Sequence, residues 1–584
     1  MIEALHPSLI LVATAAIILL LPHRLRQIFL VAGPLLAVAA VAHMSPGTLV
    51  AGEVLGYKLV FLKADALSLV FGLIFSIMSL LGGVYALHVT RRGEHMAALL
   101  YAAGSLGVVF AGDWITLFFF WELMSISSVF LIWYRNTARS LKAGFRYLLV
   151  HFFGGNLLLL GVLLLVGSGN PAVGTLTGTG HPAFWPVLLG VAVNAAIPPL
   201  HAWLTDAYPE GTVTGSVYLS AFTTKVAVYV LVRVFPGAPV LLWAGTIMAL
   251  YGVIYAAMEN NIRRLLAYHI ISQVGYMVAA VGIGTEMGLN GSVAHAYSHI
   301  LYKSLLFMGT GAVIYATGRE WMTELGGIAR FMPFTALFYT VGALSISGAP
   351  LFNGFISKSV VISAAAKSGL PAVDFLLTLA SVGTFLSIGL KLLYFTFFGE
   401  DQGIKPRPLP FNMHLAMAMN SLLCLLYGIF PGLLYSRLPY PLEYEPYTVD
   451  HIMSSVQLLA ATAAAFWLLL PRLDRKIVIS LDTDWVYRKP LAVLLYLVVG
   501  AITGLREALY RCLSSAYVKV TPYFANPYLF MSFLRSGPGE GAGNGEGAAY
   551  DPGRYGQPLG VNVSLAAVVI VAVTVFLLWR STTP

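Results

Sequence analysis

Residues Ser292 to Met308 read SVAHAYSHILYKSLLFM, and three titratable side chains recur there at one spacing: His295, His299 and Lys303. Four residues advance a helix by about 400° and about 6 Å, so the three heads fall on one slowly drifting stripe about 12 Å long. The remainder of the stretch is mostly apolar. Ionisable groups at the middle of a bilayer cost roughly 2.5 to 3.5 kcal/mol each on insertion scales, so they are retained where they face a polar interior and act there. The spacing suits a proton relay. The blander reading of the same residues is a hydrogen-bonded histidine pair with a lysine reaching for the interface.

Composition makes this a membrane helix. Of 584 residues, 58% are hydrophobic and 10% charged, and the mean hydropathy is +0.81, outside the make-up of soluble domains. The net charge of +9 would suit nucleic acid, but the basic residues lie in short gaps between apolar runs, where they set topology. No nucleic-acid partner is expected. Cys424 and Cys512 are far apart and form no metal or haem spacing, so neither a cofactor, a metal nor catalytic chemistry is expected in this chain. The first apolar run, Leu5 to Pro22, follows Glu3 instead of a basic segment and reads as a retained helix, not a leader.

Runs long enough to cross about 30 Å of hydrocarbon fall at 5–22, 27–43, 64–89, 95–112, 114–133, 142–168, 183–205, 212–235, 239–258, 262–284, 288–316, 331–366, 371–398, 411–434 and 452–471, with a last span at 561–579. The expected fold is an all-α polytopic membrane protein of about 14 core helices with C-terminal extras. Arg24 and Arg26, Arg91 and Arg92, Arg135 to Arg146, Arg263 and Arg264, and Arg472 to Lys476 all follow odd-numbered spans. The positive-inside rule then puts the amino terminus outside, in a multi-pass protein of the cell's inner (plasma) membrane.

Two spans carry proline in the middle: span 7 at Ile197-Pro198-Pro199-Leu200 and span 12 at Gly348-Ala349-Pro350-Leu351. Both should be broken, and irregular backbone at membrane depth is tolerated only where protein or a wet cavity satisfies it. The breaks are five spans apart. A five-helix unit enters the membrane inverted at its second copy, which predicts inverted repeats over spans 4–8 and 9–13. The domains are then 1–94, 95–235 as the first half-channel, 239–398 as the second, 411–471, a surface segment and linker at 472–560, and 561–584. The first half holds Glu122 and Lys225; the second holds the histidine stripe, Lys358 and Lys391, with Lys391 placed as the repeat equivalent of Lys225.

Taken together, WELMS (Trp121–Ser125), PLHAWLTDAYPEGTVTGSVYLSAFTTKVAVYVLVRVF (Pro199–Phe235), RRLLAYHIISQVGYM (Arg263–Met277), HAYSHILYKSLLF (His295–Phe307) and GAPLFNGFISK (Gly348–Lys358) resemble the antiporter-like subunits shared by Mrp-type sodium/proton antiporters, respiratory complex I and membrane-bound hydrogenases. The likeness covers roughly residues 60 to 430 and, within the family, is nearest to the D-type subunits of Mrp antiporters. It implies that Glu122 is the span 5 glutamate, that Lys225, His295, His299 and Lys303 form the central relay, and that Lys358 exchanges protons with one side. One position departs. The family usually places lysine seven residues before the histidine of the PLHxWL motif, and Asn194 stands there. His151, in YLLVHFFGGN, is the candidate replacement partner of Glu122. Arg263 also stands where lysine is common.

Beyond span 15, LDTDWVYRKP precedes Leu491 to Val518, a helix whose second half is amphipathic and which either spans or lies on the surface. The Gly-rich stretch within 536–560 reads as a flexible linker. The resemblance implies a proton-translocating subunit of a multi-subunit cation (sodium)/proton antiporter, partnered by other membrane subunits, protons, sodium ions and the bilayer. Two rivals stay open: a proton-pumping subunit of an NADH dehydrogenase or hydrogenase complex, and a scaffold that has lost transport.

Overall fold

The computed structural model describes residues 5–54, 56–176, 178–472, 482–483, 485–486, 489–525 and 569–570. Residues 1–483 form one compact unit and 484–584 a second. The Gly-rich linker and, apart from Val569 and Ile570, the span expected at 561–579 lie outside the described residues.

The helices in order are α1 (Pro7–Leu20), α2 (His23–Ala42), α3 (Ala66–Tyr85), α4 (Arg92–Phe110), α5 (Trp114–Trp133), α6 (Ala138–Gly167), α7 (Phe184–Ala195), α8 (Ala202–Ala207), α9 (Gly215–Ala221), α10 (Thr223–Val234), α11 (Pro239–Met258), α12 (Ile262–Ile283), α13 (Glu286–Thr317), α14 (Pro333–Ser347), α15 (Asn353–Lys367), α16 (Pro371–Thr384), α17 (Phe411–Ile429), α18 (Gly432–Tyr435), α19 (Val449–Leu469) and, in the second unit, α20 (Pro490–Ala525). Among the described residues, 13 helices are long and apolar enough to cross a bilayer. Their starts are chemically marked. Asp65 and Ser68 form a capping box on α3, Thr137 and Ser140 one on α6, and Asp113 accepts from the amides of Ile115 and Thr116 at α5, each satisfying backbone donors that have no intrahelical partner.

Both proline-containing spans are broken, as their sequence requires. Span 7 stops at α7, where Ala196 turns left-handed (φ 57°), and resumes as α8. Span 12, expected to break at Gly348-Ala349-Pro350-Leu351, is α14 and α15 separated by Gly348 and Leu351, both at φ 74°. A non-glycine residue held in that region costs about 1–3 kcal/mol and persists only where the surroundings over-determine it. Two further irregularities lack any proline signal. Span 8 is interrupted at Phe222 (φ −104°, ψ −73°) between α9 and α10, and span 13 continues from α16 as π-helix over Phe385–Leu392 and Tyr394–Phe398. A short hairpin, β1 (Leu49–Val54) paired antiparallel with β2 (Tyr57–Lys63), fills the gap between α2 and α3.

The central element is α13, which packs against α3, α9, α10, α12, α14, α15 and α17. Its neighbour α12 lies against α11 at nearly backbone contact: Cβ atoms added at Gly245, Gly252, Gly275 and Gly282 would come within 2.1–2.5 Å of the amide nitrogens of Ala279, Ser272, Ala249 and Leu242. Small residues at a membrane helix interface permit this approach and gain dispersion contact in return. Because the obstruction at Gly275 is backbone, Gly275→Val should destabilise the fold by about 1–3 kcal/mol or more. A fall in the unfolding temperature of the detergent-solubilised protein is the expected readout.

Candidate functional site

The stripe read from sequence lies on one continuous helix, α13, with His295, His299 and Lys303 all fully buried. The His295 ring stands 6.3 Å from that of His299, centroid to centroid. His295 Nδ1 is 3.1 Å from the Ser357 hydroxyl on α15, and its Nε2 is 3.4 Å from Tyr302 Oη, which donates to Gln273 Oε1 on α12. Neither nitrogen of His299 has a hydrogen-bond partner, nor does Lys303 Nζ. A buried donor left unsatisfied costs about 1–3 kcal/mol, so these two groups are held against a penalty that a settled structural pair would not carry.

Lys225 enters from the first half. The interruption of span 8 frees the Ser220 carbonyl, and Lys225 Nζ donates to it at 2.6 Å. From there Lys225 is within electrostatic reach of His299 and Lys303. Lys358 is placed the same way, donating at 2.6 Å to the Ile346 carbonyl at the open end of α14 and at 3.3 Å to Ser381 Oγ. It lines a cavity of about 300 Å³ shared with Ser359, Ser381, His451 and Ser454, polar enough to hold bridging water. Lys391 instead donates to the carbonyls of Ala257 (2.7 Å) and Glu259 (2.8 Å), closing the end of α11.

The first half is less connected. Glu122, partly exposed on α5, lies against α6 where a Cβ at Gly155 would come within 2.2 Å of its Oε1, and that oxygen has no partner. The expected pairing with His151 is not formed. The His151 ring is turned into an aromatic box, 4.1 Å from the Tyr147 ring and 4.5 Å from that of Trp203, and both its nitrogens are unpartnered. Asn194 is fully buried beside it, yet neither of its amide atoms makes a hydrogen bond.

Three groups were missed in the sequence. His269 Nε2 lies 2.7 Å from Ser387 Oγ in the π-helical segment and within reach of Lys303, Lys358 and Lys391. With Gln273 and Tyr276 it recurs at intervals of four and three, one face of a helix, so its signal was present in RRLLAYHIISQVGYM. Tyr302 is one residue off the stripe. Asp482 had no local signal: it is buried against His201, Tyr251 and Tyr268, residues more than 200 positions away. Burial alone would push its carboxyl up, but hydrogen bonds from the His201 ring and both tyrosine hydroxyls outweigh it and hold the carboxyl well below the ordinary carboxylate range.

The transmembrane family model described as NADH:quinone oxidoreductase/Mrp antiporter matches residues 111–387, the part of the chain that carries both breaks and the buried lysines. The matched part is just under half of the chain, and there it is similar to antiporter-like membrane subunits. It is 29% identical over 425 residues to the A1 subunit of the Na(+)/H(+) antiporter of Staphylococcus haemolyticus, covering 64% of this chain and 53% of that protein. To the A/B subunit of the probable K(+)/H(+) antiporter of Rhizobium meliloti it is 28% identical over 402 residues, 64% of this chain and 40% of that one. It thus spans about half the length of these relatives or less. The solved Mrp complex from Dietzia sp. contains a similar chain, with TM-score 0.74 and 25% identity over 88% of this chain and 62% of that chain. The two curated relatives are of the A1 and A/B types, so they do not carry the expectation of a D-type subunit.

At Gly155 the obstructing atom is the tip of a flexible side chain, unlike the backbone at Gly275. Gly155→Ala should therefore leave the unfolding temperature nearly unchanged while displacing Glu122. A shift of the infrared carboxyl band that Glu122→Gln removes would register that displacement.

Proposed function

We propose that this chain carries protons through the membrane along its buried amines and imidazoles and that, inside a complex with other membrane subunits, it exchanges them for a monovalent cation such as sodium. The observation that carries the reading is the unpartnered Lys303 and His299 in the buried centre of the fold, with Lys225, His295 and Lys358 within electrostatic reach of His299 and Lys225 within reach of Lys303. In an environment of low dielectric, like charges repel strongly. A proton settling on Lys225 therefore raises the cost of one on Lys303, which is relieved when that proton moves on through His299 and His295 toward Lys358 and its cavity. A neutral amine or imidazole can accept as well as donate, so each group passes a proton without a permanent counter-ion. Relatives named for sodium and for potassium support a monovalent cation as the exchanged ion.

In this reading Lys391 serves α11, and Glu122 with Asn194 and His151 forms a weakly coupled outer station. Breaks in spans 7 and 12, each followed by an irregular span bearing a lysine, support inverted repeats over 95–235 and 239–398. The lysine and arginine distribution supports an amino terminus outside the cell membrane. A second reading, a proton-pumping subunit of a redox-driven complex, has the family model's description in its favour. Flavin or iron-sulfur absorbance in the purified native complex would decide for it.

Lys303→Ala should abolish proton transport in proteoliposomes of the assembled complex, as followed by a pH-sensitive dye; near-normal transport would sink the relay. Since no ion pair joins Glu122 to His151, the losses from Glu122→Gln and His151→Ala should multiply in the double variant. A double variant no worse than either single one would mean that the two act as a unit. Cysteines placed between Arg135 and Arg146 should be labelled only from the cytoplasmic side.

A further inference from the structure

A second buried constellation lies outside the relay, where span 7 resumes after its break. His201 is the residue immediately before α8, and its Nε2 lies 3.1 Å from Oδ1 of Asp482. The same carboxylate accepts from Tyr268 Oη on α12 at 2.6 Å and from the Tyr251 hydroxyl on α11. Both members of the His201–Asp482 pair are essentially inaccessible, with side-chain exposures of 0% and 1%. The rings around them are packed in series: His201 on Tyr251 at 4.8 Å, Tyr251 on Tyr255 at 4.5 Å, and Tyr255 on Tyr268 at 5.3 Å.

The chemistry of this set is one-sided. Two tyrosine hydroxyls are donors to the carboxylate, so the Asp482 oxygens act as acceptors and the imidazole must present its Nε2–H to them. The tautomer is thereby fixed, leaving the Nδ1 lone pair as the acceptor. His201 Nδ1 is buried and has no hydrogen-bond partner. A histidine oriented by a carboxylate on one nitrogen, with the other nitrogen open, is the arrangement of a proton-accepting imidazole whose cationic form is stabilised from behind. A plain structural pair would not need the second nitrogen left bare in a buried site.

We propose that His201 is a proton-loading group of the first half-channel and that Asp482, delivered from the chain beyond α19, is its positioning residue. The proposal rests on the proton-transport reading above. In the step, Nδ1 takes a proton to give an imidazolium while Nε2–H stays on the Asp482 carboxylate, and Nδ1 then releases that proton. Only an N–H bond forms and breaks. The ionisable groups facing the pair are Tyr251 and Tyr255 on α11, and Tyr268 and Arg264 on α12, with Arg264 3.3 Å from Glu259. On the α8 side stands Asp206, bonded to Arg146 at 2.7 and 2.9 Å. Asp482 is the sole carboxylate among the described residues that meets the His201 ring. The half-channel whose PLHxWL motif lacks its upstream lysine at Asn194 would thus be loaded by an acid from another part of the chain.

The test uses the whole complex in proteoliposomes, with pH-driven transport measured from about pH 5.5 to about pH 9, a window that brackets the ordinary histidine range, and assembly checked by co-purification of the subunits. Asp482→Asn keeps an oxygen acceptor but removes the charge that stabilises the imidazolium. Transport should fall at least tenfold at neutral pH, and the pH of half-maximal rate should move to lower pH. Asp482→Glu should recover at least a third of the rate with the original profile. His201→Gln should remove the corresponding limb of the profile, and adding Asp482→Asn to it should cause no further loss. An Asp482→Asn complex that assembles and keeps the wild-type rate and profile overturns the proposal, as do losses that multiply with those of His201→Gln. Should Asp482→Asn fail to assemble, Tyr268→Phe with Tyr251→Phe, which strips two donors from the same carboxylate, must still shift the profile; an unshifted profile overturns it equally. Lys303→Ala separates the two claims. If it transports normally, the relay reading fails; if it is dead while Asp482→Asn behaves as wild type, only the Asp482 assignment fails.

Discussion

An amine buried in hydrocarbon with no counter-charge is the constraint on which this architecture depends. Ionised, it loses its hydration; neutral, it still carries donors that want an acceptor. The fold answers with carbonyl groups. Lys225 rests on Ser220 at the interruption between α9 and α10, Lys358 on Ile346 at the end of α14, and Lys391 on Ala257 and Glu259 at the end of α11. Each of these carbonyls belongs to the end of a helix, where oxygens have no intrahelical donor and the helix dipole is negative. The irregular backbone and the buried lysines are therefore one feature. A helix broken at membrane depth requires donors, and a buried amine supplies them.

Lys303 is the exception that follows from the same rule. It sits within the regular stretch of α13, a helix of 32 residues whose internal carbonyls are already committed, so no free acceptor is offered to it. The Phe307 ring stands 5.9 Å away. The burial of Lys303 is built by close packing. Gly354 permits α15 to pass the end of α14 where a Cβ would meet the Ser345 carbonyl at 1.7 Å, which brings Lys358 against the open turn. The glycines between α11 and α12 bring those two helices to backbone distance in the same way. Packing at backbone distance leaves few voids and transmits small shifts, which suits groups that must feel one another's charge.

Much of this was legible in the sequence because hydropathy, proline and charge are local signals. Span positions, both proline breaks and the stripe on α13 came from such signals. The interruption at Phe222 and the π-helical run after Thr384 did not, since SAFTTKVAV and FLSIGLKLLYF contain no residue that forbids an α-helix; tertiary packing imposes those departures. The hairpin between α2 and α3 was hidden in a short connection. His151, offered from YLLVHFFGGN as a replacement partner of Glu122, is placed by packing that the sequence does not show: the direction of its ring is set by Tyr147 and Trp203, the latter arriving from α8. Asp482 and His201 are 281 positions apart, and no periodicity connects them.

The two halves of the site answer the same problem differently. In the second half, His295 is bonded to Ser357 and Tyr302, His269 to Ser387 and Lys358 to Ile346, so these buried groups have partners while His299 and Lys303 between them do not. In the first half, the neutral Asn194 amide offers Glu122 no counter-charge, and a carboxylate without one is tolerated only where solvent or lipid headgroups can be reached. Glu122 accordingly sits at a partly exposed position while Asn194 and His151 remain sealed behind it. Lys225 stays buried in the interior of that half, and beside the resumed helix of span 7 the His201 ring is bonded to Asp482, so the acceptor next to the break comes from beyond α19 while the facing helices α11 and α12 supply the donors Tyr251 and Tyr268.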